Sequence, residues 1–310
     1  MKKHKFHFST LIMLVLLVVC FFYRTEIVNF VMSNVIQNTK VEAPKDNSYS
    51  NDFNFEFVHI TDSFHVKNRQ DILNVIYTVL NSGNDNFTFY CDKDYSGCQE
   101  ELKSVSEDQA LLSAINNMVS PYNSYQKLYI TINSYGEAMI DVNKLYNEMD
   151  IRNINSKILE FKSENINDNM SSRDKIKAFH DYLVNTTIYD QERASQIEGG
   201  IDTDPRYNSH KANGPLLEGL ALCSGYSDAM KIFLDELKIP NYKISNDKHI
   251  WNLVYIDGAW LHVDLTWDDP VTSDGSNLLL HNFFLITTDE LLNLDQTSHS
   301  YNPDYYPEIK

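Results

Sequence analysis

Apolar residues follow three patterns along this chain. The first is a nearly unbroken apolar run from Phe6 to Tyr23. In the second, apolar residues recur every third or fourth position, which predicts amphipathic helices. In the third, they alternate with polar residues or form short runs bounded by Gly and Pro, which predicts strands. The last two patterns are interleaved after the run, so we expect a mixed α+β protein.

The apolar run predicts a membrane anchor. Three lysines precede it and a single arginine, Arg24, follows closely. A membrane span needs roughly 17–25 apolar residues. A cleaved signal peptide would need a small-residue cleavage site soon after the run, and none follows. We therefore predict that residues 1–23 form an uncleaved single-pass signal anchor, with the body outside the cytoplasm. Residues 24–52 are predicted to be a stalk and linker.

Residues 53–166 are expected to form a small α+β module of unknown role. The alternation of Phe53, Phe55 and Phe57 with polar residues predicts a strand. The other predicted elements are a helix over Ile72–Leu80 that stops at Gly83, strands over Phe87–Tyr90 and Lys127–Ile132, and a helix over Leu111–Met118. Cys91 and Cys98 can form a disulfide outside the cytoplasm, and two free thiols are the alternative. The sequence contains no C-x-x-C pair, so no zinc site is predicted.

The candidate nucleophile is Cys223, in the second region, residues 171–310. Apolar residues recur at helical spacing downstream of it, so a helix begins just after Cys223. A thiol at a helix N-terminus faces unpaired backbone N–H groups and the positive end of the helix dipole, which favour the thiolate. The same N–H groups can hold a developing oxyanion. A buried structural cysteine is the alternative interpretation.

A candidate base and its orienting group lie on a predicted hairpin. Asp257-Gly258 between apolar flanks predicts a two-residue turn. Outward from this turn, the predicted register pairs Ile256 with Ala259, Val254 with Leu261, Asn252 with Val263, and Ile250 with Leu265. On the other face His249 is a diagonal neighbour of Asp264, within reach of its carboxylate. The carboxylate can hold one ring nitrogen and leave the other to accept the thiol proton.

This geometry leaves alternatives open. His262 shares the face with Asp264, so it competes with His249 as the base. His249, His262 and Asp264 together are also a possible metal-ligand set, although their spacing is not diagnostic. His180 lies on the apolar face of a helix and is expected to be a hydrogen-bonded core histidine. The acidic run Asp268, Asp269 and Asp274 is expected to be a solvated loop, with cation binding as the alternative.

Charge excludes some classes of partner. The 310 residues include 26 Lys and Arg against 43 Asp and Glu, a net charge of −17. Nucleic-acid binding requires a basic surface, so we expect no nucleic-acid partner. The acidic body does not favour an anionic membrane surface either. We predict no cofactor.

Three segments together resemble the motifs of the transglutaminase-like superfamily. They are Cys223–Ala229, His249–Asn252 and Trp260–Asp268. The resemblance covers residues 171–310 and implies a papain-like α+β fold, in which a helix bearing the cysteine packs on an antiparallel sheet. It also implies a catalytic triad with Cys223 as nucleophile, His249 as base in preference to His262, and Asp264 as orienter. It identifies no second oxyanion donor.

The resemblance implies thioester chemistry at an amide. We expect a cysteine protease, an amidase or a protein-crosslinking transglutaminase at the cell surface, acting on proteins or cell-wall peptides. Water as acceptor gives hydrolysis, and an amine as acceptor gives crosslinking. A non-catalytic binding or scaffold module that retains the fold is the alternative.

Overall fold

The computed structural model describes residues 8–201, 207–272 and 278–309. The helices are α1 Phe8–Phe22, α2 Arg24–Asn38, α3 Arg69–Ser82, α4 Cys98–Glu107, α5 Gln109–Met118, α6 Glu148–Asn165, α7 Ser172–Thr186, α8 Gln191–Glu198, α9 Cys223–Glu236, α10 Leu265–Asp268 and α11 Thr288–Asp295. The strands are β1 His65–Val66, β2 Asn86–Cys91, β3 Tyr125–Ile132, β4 Glu137–Lys144, β5 Ile188–Tyr189, β6 Leu220–Ala221, β7 Asn241–Ser245, β8 Ile250–Ile256, β9 Ala259–Val263 and β10 Phe284–Ile286. The predicted mixed α+β architecture is confirmed.

The predicted transmembrane helix over residues 1–23 is not supported. The apolar run forms the 15-residue helix α1, which ends at Phe22 before a turn at Tyr23. Among the described residues, no helix combines the length and the apolar character needed to cross a membrane. The basic flank at residues 2–5 lies outside the described residues.

The first sheet has the strand order β1-β2-β4-β3. The predicted helices and strands of this region are confirmed as α3, β2, α5 and β3. Gly83 ends α3 with φ 71°, a conformation that glycine adopts without steric cost. The strand predicted at Phe53, Phe55 and Phe57 is wrong, because this segment joins none of the three described sheets. Phe55 is instead buried by ring contacts with Tyr77 and Tyr242.

A disulfide joins Cys91, the last residue of β2, to Cys98, the first residue of α4. Of the two alternatives for Cys91 and Cys98, the structure shows the disulfide and not two free thiols. Cys20 and Cys223 are the free cysteines.

The second sheet is antiparallel, with the order β10-β9-β8-β7. The predicted hairpin is confirmed: Asp257 and Gly258 turn with φ 56° and 81°, and the register holds from Ile256–Ala259 to Asn252–Val263. The predicted pairing of Ile250 with Leu265 is wrong. β9 ends at Val263 because Asp264 caps the short helix α10.

Both faces of the second sheet are buried. Val254, Leu261 and Val263 join the hydrophobic cluster formed with α7 and α9. Tyr242, Trp251 and Leu253 join the cluster formed with α3 and α5. Successive strand residues point to opposite faces, so the sheet lies between the two clusters. The first module therefore packs directly on the sheet that bears His249. The division into residues 53–166 and 171–310 stays a prediction.

Candidate functional site

Cys223 is the first residue of α9, as predicted. A neighbouring segment crosses this helix end closely, since the Leu222 N–H donates to the Ser209 carbonyl at 2.8 Å. A Cβ built on Gly225 would lie 2.2 Å from the Ser209 oxygen, so only glycine fits there. The Asn252 side chain donates to the Ser227 carbonyl at 2.9 Å and ties α9 to β8. These contacts therefore fix the first turn of α9, which bears Cys223, against the Ser209 segment and β8.

Asp264 is held by four hydrogen-bond donors. Its Oδ1 accepts from the backbone N–H of Thr266 at 2.9 Å and of Trp267 at 3.4 Å. Its Oδ2 accepts from His249 Nε2 and, at 2.9 Å, from His299 Nε2. The Asp264 side chain is only 1% exposed. A buried carboxylate with both oxygens bonded is held in one orientation.

The carboxylate and the His249 ring stabilise each other's charged form. Burial opposes ionisation of Asp264, but the charge and hydrogen bond of His249 and the hydrogen bond of His299 hold its pKa well below the usual range. Burial also opposes protonation of His249. Asp264 outweighs this effect, and the interaction with Cys223 adds to the upward shift, so the pKa of His249 rises to about 10. Because Asp264 holds Nε2, Nδ1 is the ring nitrogen left for the thiol.

Cys223 and His249 line a cavity of about 710 Å³. Its opposite wall comes from the first module, through Gln109, Ser113 and Asn116 of α5. Most of its lining residues are Ser, Asn, Asp, Lys and Tyr. A second cavity, of about 520 Å³, lies between residues 48–53, α6 and the end of α9, away from these residues. The first cavity is therefore the candidate substrate cleft, and the first module forms part of it.

Two further residues lie near the thiol. Tyr189 on β5 is paired beside Ala221, two residues before Cys223. Burial raises its pKa to about 12, and negative charge at Cys223 adds to the shift. His210 lines the cleft, and its buried Nδ1 has no hydrogen-bond partner. Burial lowers the pKa of His210, with Lys211 and Arg193 adding to the effect, so the ring is neutral at pH 7. No motif singled out His210.

His262 does not join the cluster around Asp264. Its ring is buried, with Nδ1 accepting from Trp251 Nε1 at 3.0 Å and Nε2 donating to Thr288 Oγ1 at 3.1 Å. Burial, with His299 nearby, lowers the pKa of His262 to about 3. His262 is therefore a neutral structural residue. The structure therefore does not bring His249, His262 and Asp264 together as a set of metal ligands.

His180 is the hydrogen-bonded core histidine that was expected. Its ring is fully buried and bonds Asp181 at 3.0 Å and Asp268 at 3.1 Å. The expectation of a solvated acidic loop is wrong for two members of the run. Asp268 is buried against His180, and Asp269 accepts from the hydroxyl of Tyr226. The third member, Asp274, lies outside the described residues. Within the described part of the chain, potential ligand atoms also gather at His180, Asp181 and His281 and at His249, Asp264 and His299.

A buried ion pair supports the floor of the cleft. Lys243 Nζ lies 2.5 Å from Asp228 Oδ1, and the two side chains are 5% and 2% exposed. The Tyr146 hydroxyl donates to the other oxygen of Asp228 at 2.6 Å and accepts from the Ala212 N–H at 2.7 Å. The pair thus joins α9, β7 and the segment that follows β4.

Lys243→Met is expected to lower the free energy of unfolding by about 3–5 kcal/mol, because it leaves the Asp228 carboxylate buried without its cation. Lys103→Met removes a lysine that is 73% exposed and is the matched control, with an expected change within about 0.5 kcal/mol. Urea unfolding measures both. A Lys243→Met value as small as that of the control would show that the pair contributes little.

Comparison with known proteins gives partial structural matches. No protein-family model and no curated protein matches the chain. Among solved structures, a protein described as a TGase is 19% identical, with a TM-score of 0.33, over 46% of this chain and 44% of that one. A candidate cysteine protease from Cytophaga hutchinsonii is 11% identical, with a TM-score of 0.27, over 45% of this chain and 61% of that one. This chain thus spans less than two thirds of either protein.

With TM-scores under 0.5, neither likeness assigns an activity to this chain.

Proposed function

We propose that this protein is a thiol enzyme that transfers acyl groups from amide bonds of proteins or cell-wall peptides. The observation that carries the proposal is a single arrangement. His249 has its Nε2 bonded to the buried Asp264, lines an open cleft together with Cys223, and interacts with Cys223 strongly enough for the thiol to help raise its pKa. This is the order nucleophile, base and orienting group that nucleophilic catalysis requires.

The chemistry follows from this order. Cys223 Sγ attacks the amide carbonyl, and a sulfur–carbon bond forms. His249 gives its proton to the leaving nitrogen as the carbon–nitrogen bond breaks, which leaves a thioester. Water or an amine then attacks the thioester and loses its proton to His249, and the thiolate departs. Backbone N–H groups at the start of α9 stabilise the oxyanion.

The cleft favours a hydrogen-bonding, peptide-like substrate. Its wall on α5 consists mainly of polar side chains, and its other wall includes Asn246, Ser300 and Asn302. Such a lining can pair with the N–H and C=O groups of an extended peptide. We also propose an extracytoplasmic location, since the Cys91–Cys98 disulfide is of a kind that persists in oxidising compartments.

Thiol labelling tests the proposal. In a Cys20→Ser background, which removes the other free cysteine, iodoacetamide should alkylate Cys223 at pH 7 about 10-fold faster than it alkylates glutathione. His249→Ala should remove this advantage. Mass spectrometry of the labelled peptide gives the rate. A wild-type rate equal to that of glutathione would contradict an activated thiol.

A primary amine then separates transfer from hydrolysis. A fluorescent alkylamine is added with a glutamine-containing protein or with cell-wall peptides. Incorporation of the amine identifies crosslinking, and release of free acid without incorporation identifies hydrolysis. If neither product forms and Cys223→Ala retains every property of the wild type, the scaffold alternative is favoured.

A further inference from the structure

A second histidine, His299, shares the carboxylate of Asp264 with His249. His299 follows α11 in a C-terminal segment, residues 296–309, whose Tyr306 stacks on Tyr242 of β7 and whose Tyr301 contacts Trp251 of β8. Its Nε2 lies 2.9 Å from Asp264 Oδ2, the same oxygen that accepts from His249 Nε2. The His299 side chain is fully buried. A buried donor that meets the orienting carboxylate, and does not face the cleft, acts through Asp264 and not on the substrate.

The backbone on either side of His299 is tied to His249 by one side chain. Asn246 Oδ1 accepts from the backbone N–H of His249 at 2.9 Å. The amide nitrogen of Asn246 donates to the carbonyls of Ser298 at 2.7 Å and Ser300 at 2.8 Å. The two histidines are therefore connected twice, through Asn246 at the backbone and through Asp264 at the rings.

The His299 ring has a fixed orientation. It stacks on Phe283 at 5.2 Å and meets the edge of Trp251 at 5.0 Å between centroids. Its Nδ1 lies 3.6 Å from Asp295 Oδ2, near the end of α11. Because the aromatic contacts fix the plane of the ring, Nε2 is directed at Asp264 before any substrate binds.

We propose that His299 is a positioning residue for the reaction proposed above: its Nε2–H fixes the Asp264 carboxylate so that Asp264 directs His249 Nδ1 at Cys223. The inference rests on the proposed function, since it assigns a role within the same site. Loss of a group that supports a ligating or catalytic residue typically lowers function by about 10–100-fold.

His299→Phe separates the hydrogen bond from the packing. Phenylalanine retains a ring to stack on Phe283 but has no donor for Asp264, whereas glutamine can donate through its amide. In the Cys20→Ser background, His299→Phe should slow alkylation of Cys223 at pH 7 about 10-fold, and His299→Gln should stay within about 3-fold of wild type.

The pH profile of labelling gives a second readout. The titratable groups that face His299 are Asp264 on α10, Asp295 on α11, His249 before β8 and His262 on β9. Loss of one donor from a buried carboxylate favours its protonated form. His299→Phe should therefore move the acid limb of Cys223 alkylation, the pH below which labelling is lost, to higher pH, and His299→Gln should leave it in place.

Asn246→Asp provides a test that leaves His299 intact. The aspartate can still accept from the His249 N–H but cannot donate to Ser298 and Ser300. Labelling should slow about 3-fold, in the direction of His299→Phe. This variant decides the question if His299→Phe does not fold, as judged by circular dichroism.

The outcomes distinguish the two proposals. If wild-type Cys223 reacts no faster than glutathione, the proposed function fails. If wild-type Cys223 reacts fast and His299→Phe keeps both its rate and its acid limb, the proposed function stands and the positioning role is overturned. A slow His299→Gln beside a normal His299→Phe would assign His299 to packing and also overturn it.

Discussion

Cys223→Ala is expected to lower the rate of amide cleavage or transfer by at least about 10³-fold. The reason is that no other described side chain supplies a nucleophile at this position. Cys20, the other free cysteine, lies on α1, and Cys91 and Cys98 are bonded to each other. Release of product from the substrate identified in the amine experiment measures the rate. Removing the nucleophile eliminates the covalent pathway, so this is the largest effect that we expect.

Two variants control for folding and for the second thiol. Cys223→Ser keeps the size of the side chain and should lose nearly as much activity as Cys223→Ala, because a hydroxyl in this place is a poor nucleophile. Cys20→Ser should retain the wild-type rate. Activity that survives in Cys223→Ala would assign the chemistry to another residue and refute the central role of this thiol.

The sequence was most informative where local chemistry determines geometry. Asp257-Gly258 needs two residues with positive φ, so the turn and the register up to Asn252–Val263 could be counted from it. The helix after Cys223 followed from apolar spacing. The hairpin alone is sufficient to bring His249 and Asp264 together. Cys223 meets them there only because the tertiary packing of α9 allows it.

The sequence was least informative about contacts between distant segments. His299 is 35 residues from Asp264, and no periodic pattern distinguishes its segment. The predicted pairing of Ile250 with Leu265 failed because β9 ends at Val263, where Asp264 caps α10 instead of continuing the strand. Likewise Phe53, Phe55 and Phe57 alternate without forming a strand, since aromatic packing and not a ladder buries Phe55. The contacts of His299 and Phe55 are tertiary, whereas the Asp264 cap is a local hydrogen bond that competes with the strand ladder.

The first module could not be linked to the site from its sequence. It has no catalytic motif, and its pattern predicts only its own secondary structure. In the fold, Asn117 of α5 donates to Ser245 at 2.8 Å and to the Tyr306 hydroxyl at 3.1 Å. These bonds hold α5 beside β7, where its polar face forms one wall of the cleft. The module therefore takes part in substrate binding in our proposal, although it supplies no reacting group.

Asp264→Asn is expected to lower the rate about 10³-fold or more while retaining the fold. The neutral amide of asparagine carries no negative charge with which to accept from His249 Nε2. The protonated His249 ring therefore loses the interaction that contributes most to stabilising it. The pKa of His249 should fall from about 10 towards or below its usual 6.5, because burial still opposes the charged ring. Glu290→Gln, on the exposed first turn of α11, is a carboxylate-to-amide control and should retain the rate.

The pH dependence has a definite sign. A histidine whose pKa is raised by folding stabilises the protein fully below its unfolded pKa of about 6.5, and this contribution is lost as the pH rises through about 10. The lowered pKa of Asp264 stabilises it above about 3.9, and this contribution is lost as the pH falls. The wild type should therefore exceed Asp264→Asn in unfolding free energy most clearly between about pH 4 and 6.5, and the difference should shrink towards pH 10. Urea unfolding of the wild type and of Asp264→Asn across this pH range tests the prediction, with alkylation of Cys223 measured in parallel. A difference that does not vary with pH would contradict the ion pair between His249 and Asp264.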